Sequence, residues 1–468
     1  MIKKIDLIQP RHSYADETSQ WHIYTNTSLW TMWSILHNAG IQIALHDENI
    51  RPTIQLDSNI VWISLLWAPY IPITIETIQR LRQQFGNELV FVLGGQVLTQ
   101  KKSRTWKILG LDDIQFKKIF WENVENGMKS GVLENIFHAE NLASAPDVSL
   151  IPIYKKLSDA DFLRYFSREI SLYVSQWCKF NCDFCAAEKN QKERYRDAET
   201  IEKDLFYIMA RLQDLWEHHL DIYISNLDVF QSPDELEKFA DMMWNLRRNI
   251  PWFFCADFTF SFRGLAGTKS FVDLDKNHPK TLEKLVEAGF TTVGYGVDGM
   301  WPDVWKGIKK PQNDEKNILD AIRISKEKYN ITPELLMVFG HVGVDTEQSL
   351  KHAYDFVEAM VDKYGAIPRP HIAKQCIPGN DGRSDSKFQK EVSMLIENPT
   401  LFQSLDFTAL ASKLTHPDTA FRDMVNHYYL EMCKLPGNTT QPIIPYDIWD
   451  TQQIIEQKKK ENIGKFDR

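Results

Sequence analysis

Cys178, Cys182 and Cys185 stand within eight residues in the stretch VSQWCKFNCDFCAAEK, spaced CxxxCxxC, with Phe184 directly before the last cysteine. A [4Fe–4S] cluster normally takes four thiolates. Three on one loop would hold three irons and leave the fourth open to a small molecule, a poor arrangement for a structural metal and a good one for a reactive one. Zinc sites usually pair two CxxC-like halves to close a tetrahedron, and the chain has no second half. A disulfide reading fails on parity, because three neighbouring cysteines leave one unpaired.

The elements that must carry this loop alternate regularly between strand and helix. ISLYVSQW (170–177) is a strand running into the cysteines, and a helix over 198–216 follows. A strand at 221–228 leads to a helix at 232–248, with Ser232 as N-cap and Pro233 at the first helical position. WFFCADF (252–258) reads as the third strand and 279–289 as its helix. Strands at 291–298, 334–340 and 369–376 continue the series, with helices at 314–330 and 346–365 between them. Six such repeats predict a partial (β/α)6 TIM-type barrel over residues 146–380, and parallel barrels place chemistry at the C-terminal ends of their strands. The cysteine loop falls at such an end.

Residues 1–145 read as a separate α/β unit of doubly wound, Rossmann-like type. Strands at 5–10, 41–47, 59–67 and 88–96 alternate with helices at 28–40 and 73–86, and Gly40 is a C-cap. SAPDVSLIPIYKKL (144–157) is a linker strapped over the barrel. Residues 381–468 form a mainly helical C-terminal region ending in a charged, solvated tail, and this region is a candidate for holding a peptide.

Composition sets the outer limits. At 468 residues the chain predicts two or three domains, and its 43% hydrophobic content is ample for their cores. A net charge of −9 argues against nucleic acid as a partner, since phosphate binding needs a positive field. Six cysteines, three of them clustered, indicate a reducing compartment. No signal peptide and no run of about 18 apolar residues is visible, so a cytoplasmic protein without a membrane span is expected.

CxxxCxxC with an aromatic residue before the third cysteine resembles the radical S-adenosylmethionine superfamily. The resemblance implies that S-adenosylmethionine chelates the open iron and is cleaved by the reduced cluster to a 5′-deoxyadenosyl radical, with an electron donor such as flavodoxin or ferredoxin. Further residues are implied at the strand ends. Gly296-Val297-Asp298-Gly299 is similar to the superfamily's fourth-strand segment, so Asp298 would bind the ribose hydroxyls. VFGHVGVDTEQS is similar to the fifth-strand segment near the adenine, with Gly340 and Gly343 allowing close backbone approach. The glycine-glycine-glutamate segment that binds the methionine amino group is represented only by Ser225-Asn226-Leu227-Asp228. The N-terminal unit resembles the cobalamin-binding domain that precedes many such cores. The DxHxxG loop that supplies an imidazole to cobalt is missing, however, and neither His12 nor His22 has that motif around it. Cobalamin is therefore possible but not favoured, and a degenerate supporting domain is expected.

Cys255, Cys376 and Cys433 do not group into a pair, which argues against a second cluster. Cys255 and Cys433 read as apolar packing residues. Cys376 lies at the end of the sixth strand, just before a Pro-Gly turn, where a thiol could return a hydrogen atom to a peptide Cα radical. The whole layout resembles proteusin-type peptide epimerases. It implies conversion of L- to D-residues in a ribosomally made precursor peptide, with Cys376 as hydrogen donor. The alternative is a cobalamin-dependent radical methyltransferase, and a non-enzymatic iron–sulfur protein is the third reading.

Overall fold

The computed structural model describes residues 4–11, 27–38, 40–51, 53–65, 68–94, 115–116, 148–176, 178, 180, 182, 194–225, 228–255, 257–374 and 389–445. The expected site residues Phe184, Cys185, Asn226 and Cys376 lie outside these, as do His12 and His22.

Two parallel sheets organise the chain. The first contains β1 (Lys4–Gln9), β2 (Gln42–Asp47), β3 (Ile60–Ser64), β4 (Val90–Gly94) and β5 (Gln115–Phe116) in the order β2-β1-β3-β4-β5. Every residue of β3 is buried, because both faces of the sheet are covered. On one face Ile60 and Trp62 pack with the helix Thr27–Asn38 and, through Trp30, with Tyr154 and Tyr165 of the helices that follow the first sheet. On the other, Val61 and Ile63 meet Ile71, Ile78 and Leu81 of the helix Ile71–Phe85. In a sheet of this order the ligand crevice lies beyond the carboxyl ends of β1 and β3, where the strand order reverses. Gln9 and Ser64 are buried polar residues at those two ends.

The second sheet has six strands in sequential order: β6 (Glu169–Leu172), β9 (His219–Ile224), β10 (Thr259–Ala266), β11 (Phe290–Gly296), β12 (Thr332–Phe339) and β13 (Ile367–Ile372). All neighbours run parallel, which is the predicted partial (β/α)6 barrel. A short antiparallel pair, β7 (Ser175–Gln176) with β8 (Arg194–Tyr195), flanks the cysteine loop.

The third strand is not where the sequence reading put it. Residues 252–253 complete the helix Pro233–Phe253, and the strand is the next segment, TFSFRGLA. Its burial alternates along its length, with Phe260, Phe262 and Ala266 packed in the core. Cys255 lies in the turn between these elements, half-buried rather than in the core. Its thiol groups with His218 and Asp257 within 4.8 Å at the end of the barrel opposite the cysteine loop. Ser232 stands at the N-cap as expected, but its side chain makes no capping bond.

The C-terminal region joins the two sheets. Leu395, Leu401, Phe402, Leu405 and Leu414 belong to the core beneath the first sheet. Val425, Tyr429 and Met432 of the helix Thr419–Lys434 pack into the barrel core instead. Cys433 on this helix is likewise half-buried, packed against the barrel core. No helix among the described residues is long and apolar enough to cross a membrane.

Candidate functional site

The barrel is closed at its N-terminal end by charge. Arg263 on β10 donates to Glu169 on β6 at 2.8 Å and lies 3.3 Å from Glu334 on β12. Arg369 on β13 donates to Glu334 at 3.0 Å. This chain of ion pairs crosses the lumen and satisfies Glu334, which is almost wholly buried. Chemistry is left to the opposite end, where the cysteine loop leaves β6.

Cys178 is half-buried and Cys182 buried at the C-terminal ends of β6, β9 and β11. Each sulfur meets a side-chain amide. Gln231 Nε2 lies 3.7 Å from Cys178 Sγ, and Gln312 Nε2 lies 3.5 Å from Cys182 Sγ. The two thiols thus have donors facing them, an environment suited to thiolates holding iron. With the Cys185 position in the same loop, the donor set fits a [4Fe–4S] cluster.

The strand-end residues surround the same end of the barrel. Asp298 follows β11 at a φ of 30°, an unusual value for a residue with a side chain. It is 3% exposed, and its carboxylate accepts from the Lys310 ammonium and, at 2.9 Å, from the backbone N–H of Val338 on β12. Lys310 also donates to Gly296 O at 2.6 Å, filling the space where a Cβ on Gly296 would stand. Asp298 is therefore ion-paired and held on a fixed turn. Ser225 at the end of β9 donates from both its N–H and its hydroxyl to Leu172 O, which ties β9 to β6 beside the cysteine loop.

The turn after β12 is built from both ends. Asp345 Oδ2 accepts from the N–H groups of Gly340 and His341 at 2.9 and 2.8 Å. His416, from the C-terminal region, bonds Gly340 O at 2.8 Å through Nε2. Gly340 has a φ of 80°, and a Cβ there would stand 2.7 Å from Val425. Gly343, at a φ of 75°, faces open space. Burial pushes the His341 and His371 imidazoles below their ordinary value and takes His416 down to about 4. Three neutral imidazoles thus gather at this mouth of the barrel. His371 Nδ1 is buried with no hydrogen-bond partner among the described residues.

Lys310, His371, Gln231, His416 and Gln312 were not singled out in the sequence. Their only signal there is a polar residue next to a strand end, which most loops share.

No model of a protein family matches the sequence, and no curated protein matches it. Solved structures share its fold. One is the radical S-adenosylmethionine methyltransferase TsrM from Kitasatospora setae, with cobalamin and a [4Fe–4S] cluster bound. It matches with a TM-score of 0.58 at 12% identity over 81% of this chain and 77% of TsrM. The same enzyme with tryptophan substrate and a SAM analogue bound gives 0.56, again at 12% identity, over 81% and 74%. The cobalamin-dependent S-adenosylmethionine radical enzyme OxsB, with aqua-cobalamin and S-adenosylmethionine bound, gives 0.58 at 14% identity. That match spans 87% of this chain and 57% of OxsB. The chain thus has the fold of cobalamin-dependent radical S-adenosylmethionine enzymes, including the cobalamin-binding-like first domain. None of these three structures is described as a peptide epimerase.

Proposed function

We propose that the chain is a cobalamin-dependent radical S-adenosylmethionine enzyme that transfers a methyl group to carbon. One observation carries this reading. A five-stranded sheet in the order β2-β1-β3-β4-β5 precedes a six-stranded barrel, a fold that matches TsrM and OxsB over more than four-fifths of the chain, and CxxxCxxC follows the first barrel strand after the short strand β7. The expectation of a degenerate first domain gives way to that of a cobalamin site, because the matching structures of TsrM and OxsB hold cobalamin. Epimerisation with Cys376 as hydrogen donor gains no support from these neighbours.

A [4Fe–4S] cluster held by the cysteine loop would supply the electron for cleavage of S-adenosylmethionine, and cobalamin at the end of the first sheet would supply the methyl group. The chain's own residues do the positioning. Cys178, Cys182 and Cys185 would hold the irons. Asp298, Gly340 and Gly343 shape the strand ends for the nucleoside, and Ser225 closes the side toward the cysteine loop. The neutral imidazole of His371 offers an acceptor to a donor group on the substrate.

The test uses full-length protein reconstituted anaerobically with iron, sulfide and hydroxocobalamin, then reduced. Cobalt should remain with the protein through gel filtration, and a candidate substrate should gain 14 mass units only when cobalamin is present. A substrate that gains a single mass unit in deuterium oxide, without cobalamin and dependent on Cys376, would instead establish epimerisation.

A further inference from the structure

Resting on the assignment of Cys178 and Cys182 as cluster ligands, we propose that Gln231 and Gln312 donate hydrogen bonds to two cluster thiolates and thereby raise the reduction potential of the cluster. The two glutamines come from different loops. Gln231 lies between β9 and the helix Pro233–Phe253, and Gln312 follows the helix Pro302–Gly307. They stand 53 and 130 residues from their cysteine partners, yet each aims Nε2 at one sulfur, at 3.7 and 3.5 Å. Both also line one cavity of about 570 Å³, together with Phe180 and Asn277.

The orientation of Gln312 is informative. Its Oε1 is buried and has no partner among the described residues, an arrangement that costs stability. An iron-bound thiolate carries no proton and only accepts, so it selects the N–H end of an amide. The Gln312 amide is thus set for a thiolate at the expense of its own oxygen. Reduction adds one electron to the cluster, taken from an external one-electron donor, and moves no proton. The reduced cluster is the more negative form, so N–H donors stabilise it more than the oxidised form.

The measurement is a potentiometric titration, followed by electron paramagnetic resonance, of the anaerobically reconstituted full chain. Gln231→Met, Gln312→Met and the double variant keep side-chain length and remove the N–H. Gln312→Glu keeps the shape and replaces the donor with a carboxylate, and Asn277→Ala alters the same cavity wall away from sulfur. At the wild-type midpoint the double variant should show a reduced-to-oxidised ratio lower by about tenfold, equal to about 59 mV for one electron. Each single variant and Gln312→Glu should move the same way, and Asn277→Ala should stay at the wild-type value. An unchanged midpoint in a double variant with an intact cluster overturns the inference. So does loss of the cluster from every glutamine variant, which would make the two residues structural. Failure of the underlying assignment looks different: wild type would assemble no cluster, or Cys178→Ala would assemble one as well as wild type does.

Discussion

At the scale of single residues, His416 shows how a buried imidazole couples the C-terminal region to the barrel mouth. Its residue is 0% exposed, Nε2 meets Gly340 O at 2.8 Å and Nδ1 lies 3.0 Å from Thr415 Oγ1. Burial takes its pKa to about 4, with Lys374 and Arg422 adding smaller effects in the same direction. The unfolded chain protonates this imidazole near pH 6.5, and the folded chain resists until about 4. The unfolded state therefore binds more protons across that interval, and stability rises with pH there. The contribution is complete above about pH 6.5 and is lost as pH falls toward 4, by about 3 kcal/mol. His341 and His371, also depressed by burial, add to the loss. Urea unfolding at pH 7 and pH 5 should show a drop in midpoint that His416→Gln makes smaller. Parallel pH curves for the two proteins would remove His416 from the account. The cysteines were legible in the sequence because all three stand in one short stretch. His416, Gln231 and Gln312 were not, because each acts on a partner 53 or more residues away.

Among the elements, the barrel strands show which local signals can be trusted. The rhythm of strand and helix was readable, since each strand is apolar and each helix has its own start signal, such as Asp197 bonded to Thr200 N–H or the reciprocal Thr346–Ser349 pair. The third strand was misplaced because WFFCADF is dense in aromatics. Density is not burial. Trp252 and Phe253 are 82% and 59% exposed at the end of a helix, while TFSFRGLA carries the period-two alternation of a strand. The alternation decides the face as well: Phe260 and Phe262 pack outward against helices, and Arg263 faces the lumen. On the neighbouring strand β11, Gly294 faces the lumen between Leu265 and Leu336. A Cβ there would stand 2.7 Å from a methyl group of each. Gly294→Ala should therefore overpack the lumen and cost about 1–3 kcal/mol. Leu265→Ala in the same background should restore part of the loss, since it removes one of the two clashing groups. A double variant no more stable than Gly294→Ala alone would mean that the glycine is needed for another reason.

For the whole molecule, the C-terminal region is a layer of the first sheet as much as an extension of the barrel. Composition along the chain gave it no such role, because its apolar residues are spread through short helical segments without a strong period. In the structure Phe402 is 2% exposed and Leu405 1%, in one core with Ile8, Val61, Ile63 and Phe91 of the first sheet. The same region reaches the barrel through Tyr429, whose ring is tilted against Phe339 at 6.3 Å between centroids, and through Lys374, which donates to Ala409 O at 2.7 Å. Replacing a buried phenylalanine by alanine typically costs about 3–5 kcal/mol, a large share of the ~5–15 kcal/mol that holds a domain together. Phe402→Ala should therefore loosen the first sheet although it lies more than 300 residues from β3 and β4 in sequence. Hydrogen exchange locates the effect. Amides of β3 and β4 should lose protection in Phe402→Ala, while β10, β11 and β12, which do not touch this core, should keep theirs. If the loss stays within 389–445, the C-terminal region packs on the sheet without supporting it. Exchange spreading into the barrel would mean that the two sheets unfold as one unit, with the C-terminal region as the coupling between the first sheet and the barrel.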